Sequence, residues 1–138
     1  MKPSSATAAF VAVMIAAACG DNGNPAEQQP ANTVSAAVIT LTTPNSDDGA
    51  IVLTLQGPDL AAIEPASSAY LSYSRATSNQ EKRVIVIGNL GAGPLFTVKL
   101  GSAHNLSDYS ATVEQVANRS DILRNSTTDY KLTIAAAQ

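Results

Sequence analysis

The sequence predicts an all-β domain, an antiparallel β-sandwich of about seven to nine strands over residues 33–138, with a small β-barrel as the alternative. Three observations carry this. Apolar side chains recur at every second position from Thr33 onward, not at the 3.6-residue period of a helix. Clusters of Gly, Pro, Asn, Asp and Ser separate these runs at intervals close to those of a sandwich. No repeat of solenoid or propeller length runs through the chain.

Taken in order, Ala37, Ile39 and Leu41 alternate as one buried strand face. Pro44 to Gly49 follows, with the Asn, Asp and Gly chemistry that a hairpin turn needs. From Ala50 to Gln56, Ile51, Leu53 and Leu55 point one way and Val52, Thr54 and Gln56 the other. The Gly57-Pro58 step ends that strand and leaves room for a short helical turn over Pro58 to Ile63. Tyr70 and Tyr73 lie three apart in one expected strand, which sends one ring to the core and the other to solvent. After the turn Ser78 to Lys82, the run Arg83 to Gly88 is apolar on both faces, which suits a central strand covered on both sides or a sandwich strand under a loop. Gly91 to Pro94 is the next turn, and Phe96, Val98 and Leu100 the next buried face. Tyr109, Ala111 and Val113 alternate again, Ser120 to Arg124 is the second place for a helical turn, and Tyr130 to Ala135 is the last strand. That last strand is expected to pair with an early one and tie the ends of the domain together.

The start of the chain has a different composition. Met1 and Lys2 precede an uncharged apolar run from Ala6 to Ala18, too short to anchor in a bilayer, where about 20 residues are needed, and suited to a secretory signal. The run ends in Ala16-Ala17-Ala18-Cys19, which resembles the lipobox of bacterial lipoproteins. That resemblance implies cleavage before Cys19, diacylglycerol on its thiol, and attachment to a membrane of the bacterial cell envelope, facing the periplasm or the cell surface. The family usually carries Leu where this chain has Ala16, so cleavage at an A-x-A site and secretion of a soluble protein is the alternative. Residues 1–18 are thus read as signal peptide. Residues 19–32, rich in Pro, Asn and Gln, bury too little to order themselves and read as a flexible tether. The strand and turn pattern of residues 33–138 also resembles, more distantly, the cohesin-type sandwiches of bacterial surface proteins. Such sandwiches bind partner modules, and no binding residue carries over.

The remaining residues restrict the chemistry. A formal charge of -3 with 8 scattered Lys and Arg opposes nucleic-acid binding, which takes clustered cations. One cysteine forms no internal disulfide, and one histidine assembles no zinc site, so no cofactor is expected. Asn45, Asp47 and Asp48 gather oxygen ligands beside Gly49 and are the calcium candidates, although a capped turn explains them as well. His104, in a polar loop, is the only base for a Ser-His-Asp site, with Ser107 or Ser110 as nucleophile; no nucleophile motif accompanies it. Asp59, Glu64, Glu81 and Glu114 are the carboxylates from which a hydrolase pair would be drawn. Tyr70, Tyr73 and His104 are the candidate binding residues.

Together these features predict a non-enzymatic envelope lipoprotein, a β-sandwich that binds an envelope protein or polysaccharide or serves as a structural module. The alternatives are a small envelope hydrolase with carboxylates on sandwich loops, a secreted soluble adhesion module, and assembly through an exposed sheet edge.

Overall fold

The computed structural model describes residues 33–138; the predicted signal peptide and tether, and with them Cys19, lie outside the described residues. Eight strands follow one another: β1 (Thr33–Thr42), β2 (Asp48–Gln56), β3 (Leu60–Pro65), β4 (Leu71–Ser78), β5 (Glu81–Leu90), β6 (Gly93–Asn105), β7 (Ser110–Asn118) and β8 (Lys131–Ala136). They form two four-stranded sheets, ordered β3-β6-β1-β8 and β4-β5-β2-β7, with every pairing antiparallel. Two open sheets packed face to face make a sandwich and not a barrel. The last strand pairs with the first, Ile39 opposite Ile134, which meets the expectation that it joins an early strand.

The core lies between the sheets and is almost wholly aliphatic. Ile39 and Leu41 of β1, Ile51, Leu53 and Leu55 of β2, and Val84 and Val86 of β5 are fully buried around Phe96 of β6. Bulges break the alternation where packing needs it. Ile39 faces Phe96 while Thr40 faces Pro94, so Leu95 is an extra residue and both Leu95 and Phe96 turn inward.

The connections differ from the expected hairpins. Only Ser78 to Lys82 joins strands that pair, β4 with β5. Pro44 to Gly49 and Gly91 to Pro94 lead from one sheet to the other, because both sheets must be fed alternately from one chain. Pro58 to Ile63 is not a helical turn: Leu60 to Pro65 is β3, extended against β6. Ser120 to Arg124 is also non-helical, a loop that bridges back to β7 at Ala117 and Leu123. The single helical turn among the described residues, a 3₁₀ turn, spans Leu106–Asp108.

Two glycines seat tyrosines. Gly57, at φ 151°, lies under the Tyr109 ring, where an added Cβ would come within 2.1 Å of ring carbon Cδ1. Tyr70 precedes β4 and covers Gly88 in the same way, so it packs against the core while Tyr73, within β4, is 61% exposed. The two rings do part company, but Tyr70 is not in the strand.

Candidate functional site

The two outer faces of the sandwich have opposite character. On the β3-β6-β1-β8 sheet the outward residues include Thr40 opposite Thr133 and Thr97 opposite Glu64, with Lys99 2.6 Å from Glu64. This is an ordinary wet face. On the β4-β5-β2-β7 sheet, cross-strand pairing instead builds two apolar rows. One runs Leu71, Ile87, Ala50, Ala117, Leu123, and the other Tyr73, Ile85, Val52. Leu71, Tyr73, Ile87 and Leu123 are 58%, 61%, 40% and 59% exposed, four of the five large apolar residues so exposed among the described residues. The doubly apolar run Val84-Ile85-Val86-Ile87 therefore has one face in the core and one open, a correction to the expectation that both are covered.

A charged row borders the apolar ones. Arg75 and Arg83 stand directly opposite each other on β4 and β5. Arg83 pairs with Glu114, which also accepts from Thr54 Oγ1. Glu114 reaches this face because it is the extra residue of a bulge: Val52 faces Gln115 but Leu53 faces Val113. The Arg75 side chain has no ion pair or hydrogen bond among the described residues, so two like charges oppose each other with one counter-charge for the pair. Tyr73, Arg75, Arg83, Ile85, Val52 and Gln115 line a shallow depression of about 430 Å³. Beyond it Glu81 is held by Gln56 Nε2 at 2.9 Å and Thr77 Oγ1 at 2.5 Å, and these bonds, Thr77 foremost, lower its pKa.

His104, Ser102 and Asp59 also meet, at the end of β6. Val34 faces His104 while Ala36 faces Lys99, so β6 arches outward between them, and Gly101 N–H donates to the Asp59 carbonyl at 2.8 Å. His104 Nε2 lies 2.9 Å from both Ser102 Oγ and Asp59 Oδ2, and Ser102 Oγ donates to the same carboxylate oxygen. A triad needs the base to hold the carboxylate through one ring nitrogen and the serine through the other. Here Nε2 meets both, and the serine gives its proton to Asp59, so the trio acts as a clamp between the β2–β3 turn and β6. The serine is neither Ser107 nor Ser110.

The clamp has a pH signature. The His104 imidazole, and after it Ser102, hold the Asp59 carboxyl below its ordinary value of 3.8. A carboxyl whose pKa is lower folded than unfolded contributes stability above the unfolded value and loses it as pH falls through the folded one. Asp59 sits at φ 51°, which Asn also adopts readily, so Asp59→Asn is a clean probe. The melting-temperature gap between wild type and Asp59→Asn is expected to be present above the ordinary carboxyl range and to close as pH falls through the lowered folded-state value of Asp59. A gap independent of pH would contradict the clamp.

Asn45, Asp47 and Asp48 come together, but around a guanidinium. Arg124 donates from Nε and Nη2 to Asp48 Oδ1 at 3.0 and 2.8 Å, and from Nη2 to Asp47. Thr43 Oγ1 donates to Asp48 Oδ2 at 2.6 Å, Tyr130 OH to Oδ1 at 3.0 Å, and Asn45 Nδ2 to the Tyr130 oxygen at 2.6 Å. The Arg124 bond lowers the Asp47 pKa, and the two carboxylates raise that of Arg124. Arg124 thus stands where a cation would, and among the described residues no three His, Cys, Asp or Glu side chains are placed to hold a metal. Sequence reasoning missed Arg124; nothing local marks it, since its partner is 76 positions away.

The four candidate carboxylates are dispersed: Asp59 in the clamp, Glu64 with Lys99 on one outer face, Glu81 and Glu114 each bonded to different partners on the other. Of the candidate binding residues, only Tyr73 stands on the apolar face. Compared with protein-family models, curated proteins and solved structures, the chain finds no match.

Proposed function

We propose that the chain is a non-enzymatic lipoprotein of the bacterial cell envelope, held at a membrane through lipid on Cys19, whose β4-β5-β2-β7 face docks a protein partner. The observation that carries the docking is the pair of exposed apolar rows, Leu71-Ile87-Ala50 and Tyr73-Ile85-Val52, beside the uncompensated Arg75. Water wets these rows in the free chain, and a partner that covers them gains the burial of apolar area. Arg75 selects a partner that brings a carboxylate to the end of the rows, because a bidentate acceptor relieves its opposition to Arg83. A protein surface supplies aliphatic contacts and carboxylate together, which favours it over a polysaccharide. The lipobox resemblance at Ala16-Ala17-Ala18-Cys19 supports the anchoring, and the cohesin-type resemblance supports a docking role for the sandwich.

Two measurements test the two halves. Metabolic labelling with a palmitate analogue is expected to mark the wild-type chain and not Cys19→Ser, with precursor accumulating under globomycin; an unlabelled, freely soluble product overturns the anchoring. For docking, photo-reactive benzoylphenylalanine placed at Tyr73 in envelope membranes is expected to give a protease-sensitive adduct with a protein other than this chain, which Arg75→Glu weakens at least tenfold. The same probe at Thr133, on the opposite face, is expected to give none. Equal adducts at both positions, or an adduct that is polysaccharide, overturn the protein-docking reading.

A further inference from the structure

A sheet edge is a row of unpaired N–H and C=O groups, and natural sheets block such rows with short strands, bulges, Pro, Lys or covering loops. Three of the four edges here are blocked. β3 has 6 residues, slips register between Leu60 and Ile63 and ends on Pro65. β7 is covered at one end by the following loop, with Arg124 N–H donating to the Val116 carbonyl at 2.8 Å and Asn118 N–H to that of Ile122 at 2.9 Å. β8 has 6 residues and opens on Lys131. β4 is the exception. It runs 8 residues, Leu-Ser-Tyr-Ser-Arg-Ala-Thr-Ser, without Lys or Pro and with Arg75 as its one charge, and its register with β5 is unbroken from Leu71 to Ala76 and slips only at its end, between Ala76 and Ser78. Among the described residues no strand pairs with its outer side.

We propose that β4 is an assembly edge, joining β4 of a second copy of this chain antiparallel about a two-fold axis through Ser74. This interface uses the backbone edge of the sheet and does not rest on the docking reading, although it shares Tyr73 and Arg75 with the face beside it. A two-fold axis normal to the sheet pairs one residue with itself and keeps both apolar faces on the same side. Charge then chooses among the registers. An axis through Arg75 sets two guanidiniums against each other, which is unfavourable. One through Tyr73 sets ring on ring and leaves Arg75 facing Leu71. An axis through Ser74 places Tyr73 opposite Arg75 of the second copy, and does so twice, so each guanidinium stacks on a phenol ring while keeping its N–H edge for a carboxylate. Leu71 then meets Thr77, and the two apolar faces become one surface on a continuous eight-stranded sheet.

Residues directly opposite in an antiparallel pair have Cα atoms about 4.5–5.5 Å apart, inside the range of a disulfide. Full chains carrying Cys19→Ser, so that each added thiol is the only one, read the register. Ser74→Cys under mild oxidation is expected to give a covalent dimer at least fivefold faster than Ser72→Cys, whose opposite in this register is Ala76. The double variant Ser72→Cys with Ala76→Cys is expected to restore fast cross-linking. Sedimentation equilibrium of the Cys19→Ser chain is expected to show a monomer–dimer equilibrium that Ser74→Lys weakens at least tenfold. Ser74 is exposed, so Lys leaves the fold intact, which a thermal melt checks. Equal cross-linking at positions 72 and 74, a chain monomeric at about 100 µM, or a dimer insensitive to Ser74→Lys overturns the proposal. A Tyr73 photo-adduct that contains only a second copy of this chain sinks the docking reading and leaves the dimer standing, whereas an adduct with a different protein from a chain that sediments as a monomer sinks only this proposal.

Discussion

Phe96→Ala lowers the free energy of unfolding by about 3–5 kcal/mol, the expected cost of emptying a fully buried aromatic site. Phe96 is 0% exposed, faces Ile39 of β1 and Pro65 of β3, and is the only Phe in residues 33–138, a chain that has no Trp. Its neighbours are short aliphatics on strands held in register by their hydrogen bonds, so they cannot close over the gap. Small domains have roughly 5–15 kcal/mol to lose in all. The loss is therefore a large share of stability. Urea unfolding followed by circular dichroism checks it, with Phe96→Leu as the control that keeps most of the volume and costs below about 1.5 kcal/mol. A Phe96→Ala loss under about 1 kcal/mol, or one equal to that of Phe96→Leu, would mean the sandwich interior is not packed around this ring.

The second large effect is at Asp48. Its side chain is 0% exposed and accepts from Arg124, Thr43 and Tyr130, whereas the Arg124 side chain is 23% exposed and reaches inward from a loop. In Arg124→Met the hydroxyl donors remain but the counter-charge is gone. Leaving a buried carboxylate without its cation costs about 3–5 kcal/mol, carried by Asp48 and not by the rehydratable arginine. Adding Asp48→Asn removes the stranded charge, so the double variant is expected to recover part of the loss. The double-mutant cycle, measured by chemical denaturation, is expected to return a coupling above about 1 kcal/mol. If Arg124→Met costs less than about 1 kcal/mol, the value of an exposed pair, the network does not brace the fold.

Much of the fold was legible because the strands obey a period of two. Ile51-Leu53-Leu55 and Phe96-Val98-Leu100 name their own buried faces, and Tyr130 to Ala135 reads as a closing strand. What alternation cannot convey is which strands meet. A turn such as Pro44 to Gly49 has the same local chemistry whether it folds a hairpin or carries the chain between sheets, and only the distant partners of β1 and β2 decide. Asp48 shows the same limit at one residue. Counting back from Leu55 in steps of two puts Gly49 inside and Asp48 outside, but β2 slips register against β5 and β7 between Asp48 and Ala50, and the carboxylate turns in. The apolar face had a signal, the run from Val84 to Ile87. Hydrophobicity on both sides of a strand was read as cover on both sides, when one side is open. The Ser102-His104-Asp59 clamp was out of reach, since it needs the arch in β6 that brings residue 102 against residue 59.

The chain path also governs how the domain is made. β1 lies between β6 and β8, so the first strand gains its two neighbours only from the second half of the chain, and the last strand completes the sheet. Apart from the β4–β5 hairpin, every pairing spans a long loop whose closure entropy comes due before the contacts form. Such topologies fold on the order of milliseconds to seconds, slowly for so small a domain. During synthesis β1 waits unpaired, exposing Val38, Ile39 and Leu41, until β6 has emerged, and its other side waits for β8 at the end of the domain. The nascent chain thus depends on whatever receives it to keep that strand from pairing elsewhere.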